Sequence, residues 1–310
     1  MYVIMKDSFS ERLKKFRLKH FNSDLAFNLI VGTLLTFVTI MLIIPLLYVV
    51  NASFSDADFI FSGNMLWLPG KFNIEGYKLI FSNKDLVRGF SNSVFYSILA
   101  VVVSVPFTVM AAYPLSRPDF VGKKLIMIVY TITMFFGAGL VPSYLLMTSL
   151  GLYDSPLALV LPGVSVWNII VVRQYFVTRV GKELFEAAKI DGCSNWQFFW
   201  RIGAPLAKPI IMVISTYVIV GQWNSYFSPM VYLSDRSKYP LQLILRELLL
   251  SADGSSDLSG FGGALLESQI NALEAMRYSS IILSAIPIII LYVIVQKQFE
   301  EGVMVGSLKG

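Results

Sequence analysis

Residues that commonly carry out covalent chemistry are scarce in this sequence. Among 310 residues there is one cysteine, Cys193, and one histidine, His20. Disulfide frameworks, zinc sites and catalytic sets that pair histidine with cysteine or serine therefore lack the residues they need. No G-x-x-x-x-G-K-[ST] segment occurs, so the chain has no loop of the kind that cradles ATP phosphates. We predict no catalytic residue, no cofactor and no metal.

A group of amide and aromatic side chains could instead bind a sugar. Gln222, Trp223, Asn224 and Tyr226 lie close together in the sequence. Amides suit the hydroxyl edges of a sugar, and aromatic rings suit its apolar faces. The same residue types also hydrogen-bond between membrane helices or sit at the membrane interface. For these four residues, and for Asn168, a role in the substrate pathway and a purely structural role both remain open.

The elements that must position these residues are long apolar segments. Of the chain, 55% is hydrophobic and 15% is charged, whereas a soluble domain is about 25% charged. Uncharged runs of roughly 18 residues or more can cross about 30 Å of hydrocarbon as helices. We therefore predict an all-α integral membrane protein with about six transmembrane helices, at residues 28–50, 92–115, 125–149, 156–176, 206–230 and 279–297. Proline and glycine interrupt the fourth, which suits a kinked span or one that lines a pathway.

The charges between the apolar segments predict the orientation. Lysine and arginine concentrate in residues 1–27, in the loop after the second span and in the loop between the fourth and fifth. Such segments stay in the cytoplasm, so both termini are predicted to be cytoplasmic. This asymmetry accounts for the net charge of +5, and no nucleic-acid partner is predicted.

Two long loops fall on the opposite, outer side. Residues 51–91 mix aromatic and polar residues, which favours a small folded structure packed against the bundle. Residues 231–278 contain a Gly/Ser/Asp-rich stretch, 251–263, that is predicted to be irregular and mobile. A short amphipathic helix, Leu265 to Tyr278, is predicted to lead into the last span.

One long cytoplasmic loop, residues 182–209, has the sequence KELFEAAKIDGCSNWQFFWRIGAPLAKP. Its first half contains helix-forming residues, Asp191-Gly192 is typical of a turn, and Asn195 to Ile202 presents four aromatic side chains. The pattern predicts a helix, a glycine turn and a second helix at the membrane surface. From amphipathicity alone, such a loop could simply lie on anionic lipid.

The spacing within this loop resembles the EAA loop of binding-protein-dependent ABC importer permeases. The residues that carry the resemblance are Glu186, Ala187, Ala188, Gly192, Ile202, Ala204 and Pro205. Ala204 stands where the family usually has leucine, and Cys193 where it often has alanine. The similarity extends over residues of about 90 to 310. Segments such as GAGLVPSYLLMTSLGLYDSPLALVLPG and GQWNSYFSPMVYL look like the maltose-type, carbohydrate-uptake branch, especially its permeases for oligosaccharides and complex glycans.

The resemblance implies a type I ABC importer permease fold in the cell membrane and a loop that docks on a separate ATPase. Residues implied in docking are Phe185, Glu186, Ala187, Ala188, Asp191, Gly192, Ile202 and Pro205. Phe185 is expected to fill a groove of the ATPase, and Glu186 to pair with one of its basic residues. The chain then divides into a basic cytoplasmic segment, the first helix with its outer loop, the permease core and a cytoplasmic tail, at 1–27, 28–91, 92–300 and 301–310.

The same resemblance implies several partners. They are a second permease chain, expected to differ from this one, two copies of an ABC ATPase, an extracytoplasmic solute-binding protein, and a carbohydrate substrate, expected to be an oligosaccharide. An ion-coupled secondary transporter is the alternative, but it would need charged groups inside the membrane, and the interiors of the predicted spans hold none. An integral membrane enzyme would need converging acids, histidines or a metal.

Overall fold

The computed structural model describes the backbone of residues 2–61, 68, 70–256 and 264–303, and the side chains of 25–60, 68, 70–250 and 271–296. Within these residues, every regular element is a helix, and one isolated antiparallel bridge joins Ser55 to Phe72. The chain forms two compact units, residues 1–73 and 74–310. This helical architecture confirms the all-α prediction.

The first unit begins with one long helix, α1 (Tyr2–Ser53), which contains the first predicted span. Its part from Leu25 to Ser53 is apolar and long enough to cross a membrane. Large apolar side chains such as Phe37 and Met41 are exposed along it, as expected for a helix whose solvent is lipid. A short helix, α2 (Ala57–Phe61), follows, and the stacked rings of Phe54 and Phe72 support the bridge beside it.

The second unit opens with α3 (Glu75–Ser82), which packs closely on a later helix through Gly76. A Cβ atom at Gly76 would lie 2.2 Å from the carbonyl oxygen of Ala275, so only glycine permits this approach. This packing agrees with the prediction that the first outer loop folds against the bundle, as far as residues 74–91 are concerned.

The central helix is α4 (Lys84–Ser116). It starts earlier than the predicted residue 92 because the side chain of Asn83 caps it, accepting hydrogen bonds from the N–H groups of Asp85 and Leu86. Its buried face carries small residues, among them Ser97, Ser104 and Thr108. Small side chains let membrane helices approach closely, and α4 packs against four later α-helices.

Three of the predicted spans are bent pairs of helices. The first pair is α5 (Lys123–Phe135) with α6 (Leu140–Ser149), the second is α7 (Pro156–Val160) and a 3₁₀ turn with α8 (Val166–Arg179), and the third is a broken segment, Asn195–Leu206, with α12 (Lys208–Trp223). Their bends are 116°, 45° and 73°. Three unbroken apolar helices and these three pairs, within the residues that the structure describes, give up to six spans, as predicted.

Two boundaries differ from the prediction. Residues 125–149 are not one helix, since the chain breaks at Phe136–Gly139, where Gly139 has a φ of +80°. The predicted helix 206–230 ends at Trp223, and a short α13 (Phe227–Tyr232) follows. Pro229 explains the second break, because its ring would clash with the carbonyl of Ser225 in a continuous helix.

The chain ends in two long helices, α14 (Leu241–Ser256) and α15 (Ala264–Val303). The prediction of irregular structure from residue 251 is wrong up to Ser256, because α14 propagates from its apolar first turns through these residues. Residues 257–263 lie outside the described part of the chain. The predicted amphipathic helix and last span form one helix, which contains an apolar stretch from Asn271 to Gln296.

Candidate coupling loop and translocation cleft

The cytoplasmic loop folds as a helix, a turn and a second helix, as its sequence predicts. Helix α9 spans Lys182–Ile190, and α10 spans Asn195–Phe198. Gly192 closes α9 with a φ of +76°, and its N–H donates to the carbonyl of Lys189 over 3.1 Å. The N–H of Cys193 donates to the carbonyl of Ala188 over 2.9 Å. Only glycine adopts this left-handed conformation without strain.

A capping box begins the second helix, and sequence reasoning missed it. The Ser194 hydroxyl accepts from the N–H of Gln197, while the Gln197 side chain accepts from the N–H of Ser194. The S-x-x-Q spacing was the signal that could have revealed it. Beyond α10, a π-helical turn, Phe199–Gly203, and a short α11 (Ala204–Leu206) lead into α12. Ile202 is half-buried in this turn, and Pro205 is exposed.

The side chains of α9 divide between the interior and the surface. Phe185 is 5% exposed and Ala188 is buried beside it, whereas Glu186, Ala187, Asp191 and Gly192 are exposed. Glu186 forms a surface ion pair with Lys182, 3.1 Å between Nζ and Oε1. Ile190 is 87% exposed at the end of the helix, so it places a large apolar side chain on the loop surface.

Phe185, which the resemblance assigned to a groove of the ATPase, has its ring in the chain's own core. The ring meets that of Phe198 edge-on, with centroids 5.2 Å apart. The guanidinium carbon of Arg117 lies 3.1 Å from the centroid of Phe185. Phe185 thus fixes one face of α9 to the core of the chain. The opposite face of α9 stays exposed and is available for other contacts.

An inner aromatic cluster, made of Tyr113, Phe176, Phe185, Phe198 and Phe199, holds the loop against α4 and α8. The Tyr113 ring lies 5.5, 6.3 and 5.0 Å from those of Phe176, Phe198 and Phe199, respectively. Arg117 follows directly on α4 and is 9% exposed. Its contact with the loop joins residues distant in sequence, so spacing rules did not reveal it.

A cleft of about 570 Å³ lies among α4, α7, α8, α12 and α13. Two of the predicted pathway residues, Asn168 and Gln222, line it together. Polar and aromatic residues that sequence reasoning missed complete the lining: Ser165, Trp167, Tyr217, Ser225 and Ser228. Among the described residues that line the cleft, none is charged. Such a lining can hydrogen-bond hydroxyl groups and stack on apolar ring faces without attracting free ions.

The other three predicted pathway residues do not line the cleft. Trp223 is 3% exposed; its indole N–H donates to the carbonyl of Ser284 over 3.0 Å, and its ring meets Phe90 edge-on. Asn224 donates to the carbonyl of Val220 in its own helix. Tyr226 is exposed, with the guanidinium of Arg246 5.5 Å from its ring centroid. For Trp223, these contacts support the structural role.

On the predicted outer side, Asp154 organises a set of contacts that we name the outer latch: Asp154, Ser234, Asp235 and Lys238. The Asp154 carboxylate accepts from the N–H groups of Ser234 and Asp235 over 3.0 and 3.1 Å and pairs with the Lys238 ammonium. The hydrogen bond from Lys238, followed by that from the N–H of Asp235, lowers the pKa of Asp154 from 3.8 to about 2. The carboxylate therefore stays ionised at physiological pH.

Helix α4 holds the segment that carries the latch. The Asn92 amide donates to the carbonyls of Ser237 and Tyr239 over 2.9 and 3.0 Å. The Tyr96 hydroxyl donates to the carbonyl of Lys238 over 2.7 Å. One helix therefore contacts the cytoplasmic loop near one end and the outer latch near the other.

Comparisons with known proteins agree with this architecture. The family described as binding-protein-dependent transport system inner membrane component matches residues 86–305. The polygalacturonan/rhamnogalacturonan transport system permease protein YtcP of Bacillus subtilis (strain 168) is 34% identical over 91% of this chain and 97% of its own. Protein LplC of the same strain is 34% identical over 86% of this chain and 90% of its own.

A solved structure shares the fold. It is a chain of a bacterial ABC transporter involved in the import of the acidic polysaccharide alginate, with a TM-score of 0.79 and 29% identity over 89% of this chain and 98% of that one. None of these comparisons supports the ion-coupled secondary transporter or a membrane enzyme. The resemblance that the EAA spacing indicated is confirmed, over nearly the stretch predicted. The chain belongs to the family of inner membrane components of binding-protein-dependent transport systems.

Proposed function

We propose that this chain forms part of the path by which an oligosaccharide crosses the cell membrane in an ABC importer. The observation that carries the proposal is the uncharged cleft between Asn168 and Gln222, whose lining offers amides, hydroxyls and aromatic rings. These groups match the alternating polar edges and apolar faces of a sugar. The names of YtcP and of the alginate importer support a glycan rather than an amino acid or an ion.

A second permease chain completes the path in this proposal. Helices α5 and α6, whose side chains are all described, contain no fully buried residue, and large apolar side chains such as Leu125, Phe135 and Val141 are exposed. The break between them leaves Gly137 and Gly139 open, since a Cβ atom at either would meet nothing within 4 Å. In non-helical backbone that faces lipid, each N–H or C=O group without a hydrogen-bond partner costs roughly several kcal/mol of free energy, as estimated from transfer of polar groups from water to hydrocarbon. A neighbouring protein chain that covers this break removes that cost, and the resemblance favours a different chain over a second copy.

The exposed face of the cytoplasmic loop, residues 182–209, is the proposed docking site for the ATPase, and we therefore name this segment the coupling loop. Glu186, Ala187, Asp191 and Gly192 present this face together with Ile190, while Phe185 and Ala188 support it from below. Ile202 and Pro205 shape the turn that leads into α12. Two ATPase copies, one for each permease chain, and an extracytoplasmic binding protein complete the proposed assembly.

Purification tests the assembly. The tagged chain, extracted from its native membrane in mild detergent, is expected to bring an ABC ATPase and a second permease with it. Glu186→Arg reverses the charge on the docking face and is expected to lose the ATPase while keeping the second permease. Glu75→Arg makes the same change on α3, on the predicted outer side, and is expected to keep both partners.

Transport in liposomes tests the substrate class. The purified complex, with its binding protein and ATP, is offered oligogalacturonides, neutral oligosaccharides and an amino acid mixture. Uptake of an oligosaccharide that requires ATP supports the proposal. Uptake by the isolated chain under an ion gradient, or uptake of amino acids alone, would overturn it.

A further inference from the structure

Arg117 lies where the central helix α4 meets the coupling loop. We propose that Arg117 is a positioning residue that fixes α9 to α4 through the ring of Phe185, so that the loop and α4 move as one body when the ATPase closes. This inference rests on the proposed docking of the ATPase on the loop. It adds that α4 carries the movement of the coupling loop to the cleft and to the outer latch.

The contact itself is close and largely out of water. The guanidinium carbon of Arg117 is 3.1 Å from the centroid of Phe185, and both residues are more than nine-tenths buried. The Arg117 Nε atom also lies 3.5 Å from a carboxylate oxygen of Asp119, which orients the guanidinium. Cation–π contacts are strongest when the cation is desolvated, as here.

The end of α4 that carries Arg117 is held firmly in place. Arg173 on α8 donates from Nε to the carbonyl of Leu115 over 2.9 Å, and Lys123 on α5 donates to the carbonyl of Arg117 over 3.3 Å. Cations at a helix carboxyl end satisfy its free carbonyls and favour its dipole. Tyr113, one turn earlier, contacts Phe198 and Phe199. Both halves of the loop therefore meet the same end of α4.

Helix α4 is an unbroken helical route away from the loop. The covalent route into α12 passes a π-helical turn and a bend of 73°, and the route into α8 passes Val180 and Gly181, which are not helical. In contrast, α4 is a single helix of 33 residues, which at about 1.5 Å per residue spans roughly 50 Å. It lines the cleft at Ala100 and holds the outer latch through Asn92 and Tyr96.

Four variants separate the cation–π contact from general packing. Arg117→Gln removes the cation, and Phe185→Leu removes the aromatic face while keeping an apolar side chain. Arg117→Lys and Phe185→Trp keep a cation and a ring, and are expected to rescue function in part. The matched control is Lys124→Gln, which removes an exposed cation from the first turn of α5 and takes part in none of the contacts described above.

The first readout needs ATP but no sugar. Spin labels are placed at Glu183, exposed on α9 outside the proposed docking face, and at Phe95 on the outer half of α4. The background is Cys193→Ala, which is first compared with wild type for ATPase activity. With the ATPase bound, the distance between the labels is expected to be equal in the nucleotide-free and ATP-trapped states. In Arg117→Gln it is expected to change between these states, and in Lys124→Gln to stay constant.

The second readout is the number of sugar molecules imported per ATP hydrolysed. Arg117→Gln and Phe185→Leu are each expected to lower it on the order of tenfold, the equilibrium change expected for a desolvated cation–π contact. Because they break the same contact, the double variant is expected to be no worse than either single one.

The outcomes distinguish this inference from the proposed function. If wild type binds no ATPase, the proposed docking fails and the inference falls with it. If wild type binds the ATPase but imports no glycan, only the substrate proposal fails, since the distance readout needs no sugar. An unchanged distance and unchanged ratio in Arg117→Gln, or equal losses in Lys124→Gln, would overturn the role of Arg117.

Discussion

The carboxylate of Asp154 and the ammonium of Lys238, 84 residues apart in the sequence, form an ion pair that fastens the segment before α14 to the turn before α7. The backbone of Asp154 takes part as well, since its carbonyl accepts from the same ammonium over 2.8 Å. Asp154 has a φ of +55°, a conformation that aspartate tolerates better than most residues. Its side chain and its backbone therefore both define the latch.

Replacing Asp154 with asparagine is expected to loosen the latch without unfolding the protein. The substituted amide would keep an oxygen for the N–H groups of Ser234 and Asp235 but lose the charge that Lys238 neutralises. Because both partners are partly exposed, we expect a loss of about 1 kcal/mol in the free energy of unfolding. Thermal denaturation of the purified complex measures it, with Glu183→Gln, an exposed acid on α9, as the control. An unchanged melting temperature in Asp154→Asn would show that the latch contributes nothing.

The pH dependence of this contribution follows from the lowered pKa of Asp154. Its pKa falls from 3.8 to about 2 on folding, so the folded state favours the ionised carboxylate. The stabilisation is therefore complete above about pH 5 and disappears as pH falls toward 2. The difference in stability between wild type and Asp154→Asn is expected to be constant from pH 8 to about 5 and to shrink at lower pH. A difference that grows on acidification would contradict this linkage.

Local signals made the coupling loop predictable, whereas contacts between distant segments were not. The helix-forming residues before Gly192, the turn at Gly192 and the aromatic segment after it predicted a helix, a turn and a second helix. These elements could be predicted because each depends mainly on residues that are neighbours in the sequence. Hydropathy counts did not detect the breaks at Phe136–Gly139 and after Trp223, since apolar composition is the same in straight and broken helices. The inward position of Phe185 depends on α4, which sequence spacing does not place beside α9. The partners of Asp154 are likewise set by tertiary packing.

Trp223 is expected to matter for stability and not for transport. Trp223→Phe removes the donor to the Ser284 carbonyl and leaves a smaller ring against Phe90, which together cost about 2 kcal/mol. Since Trp223 lies outside the cleft lining, uptake per folded complex is expected to stay the same. Thermal denaturation and liposome uptake measure the two effects separately. A large fall in uptake with unchanged stability would restore the pathway role that the sequence left open.

Replacing residues that line the cleft is expected to lower transport and to change stability little. Asn168→Ala and Gln222→Ala each remove an amide that faces the cleft, and a lost hydrogen bond to sugar lowers uptake by roughly tenfold. Thermal stability is expected to change little for Gln222, which is half-buried. Asn224→Ala, an exposed amide at the end of the same helix that does not line the cleft, is the matched control. Equal losses in all three variants would argue against a sugar site between α8 and α12.

The role of the turn in the coupling loop can be tested by replacing either of two glycines, because the glycines before and after α9 have different backbone conformations. Gly192 has a φ of +76°, whereas Gly181 has a φ of −56°, and a Cβ atom at either would meet nothing within 4 Å. Gly192→Ala therefore introduces backbone strain of about 1–2 kcal/mol without a steric clash, while Gly181→Ala introduces neither. We expect Gly192→Ala to weaken ATPase binding to the permease about tenfold, measured by titration in detergent, and Gly181→Ala to leave it unchanged. If both variants bind alike, the left-handed turn does not shape the docking face, and the contact with the ATPase lies on α9 alone.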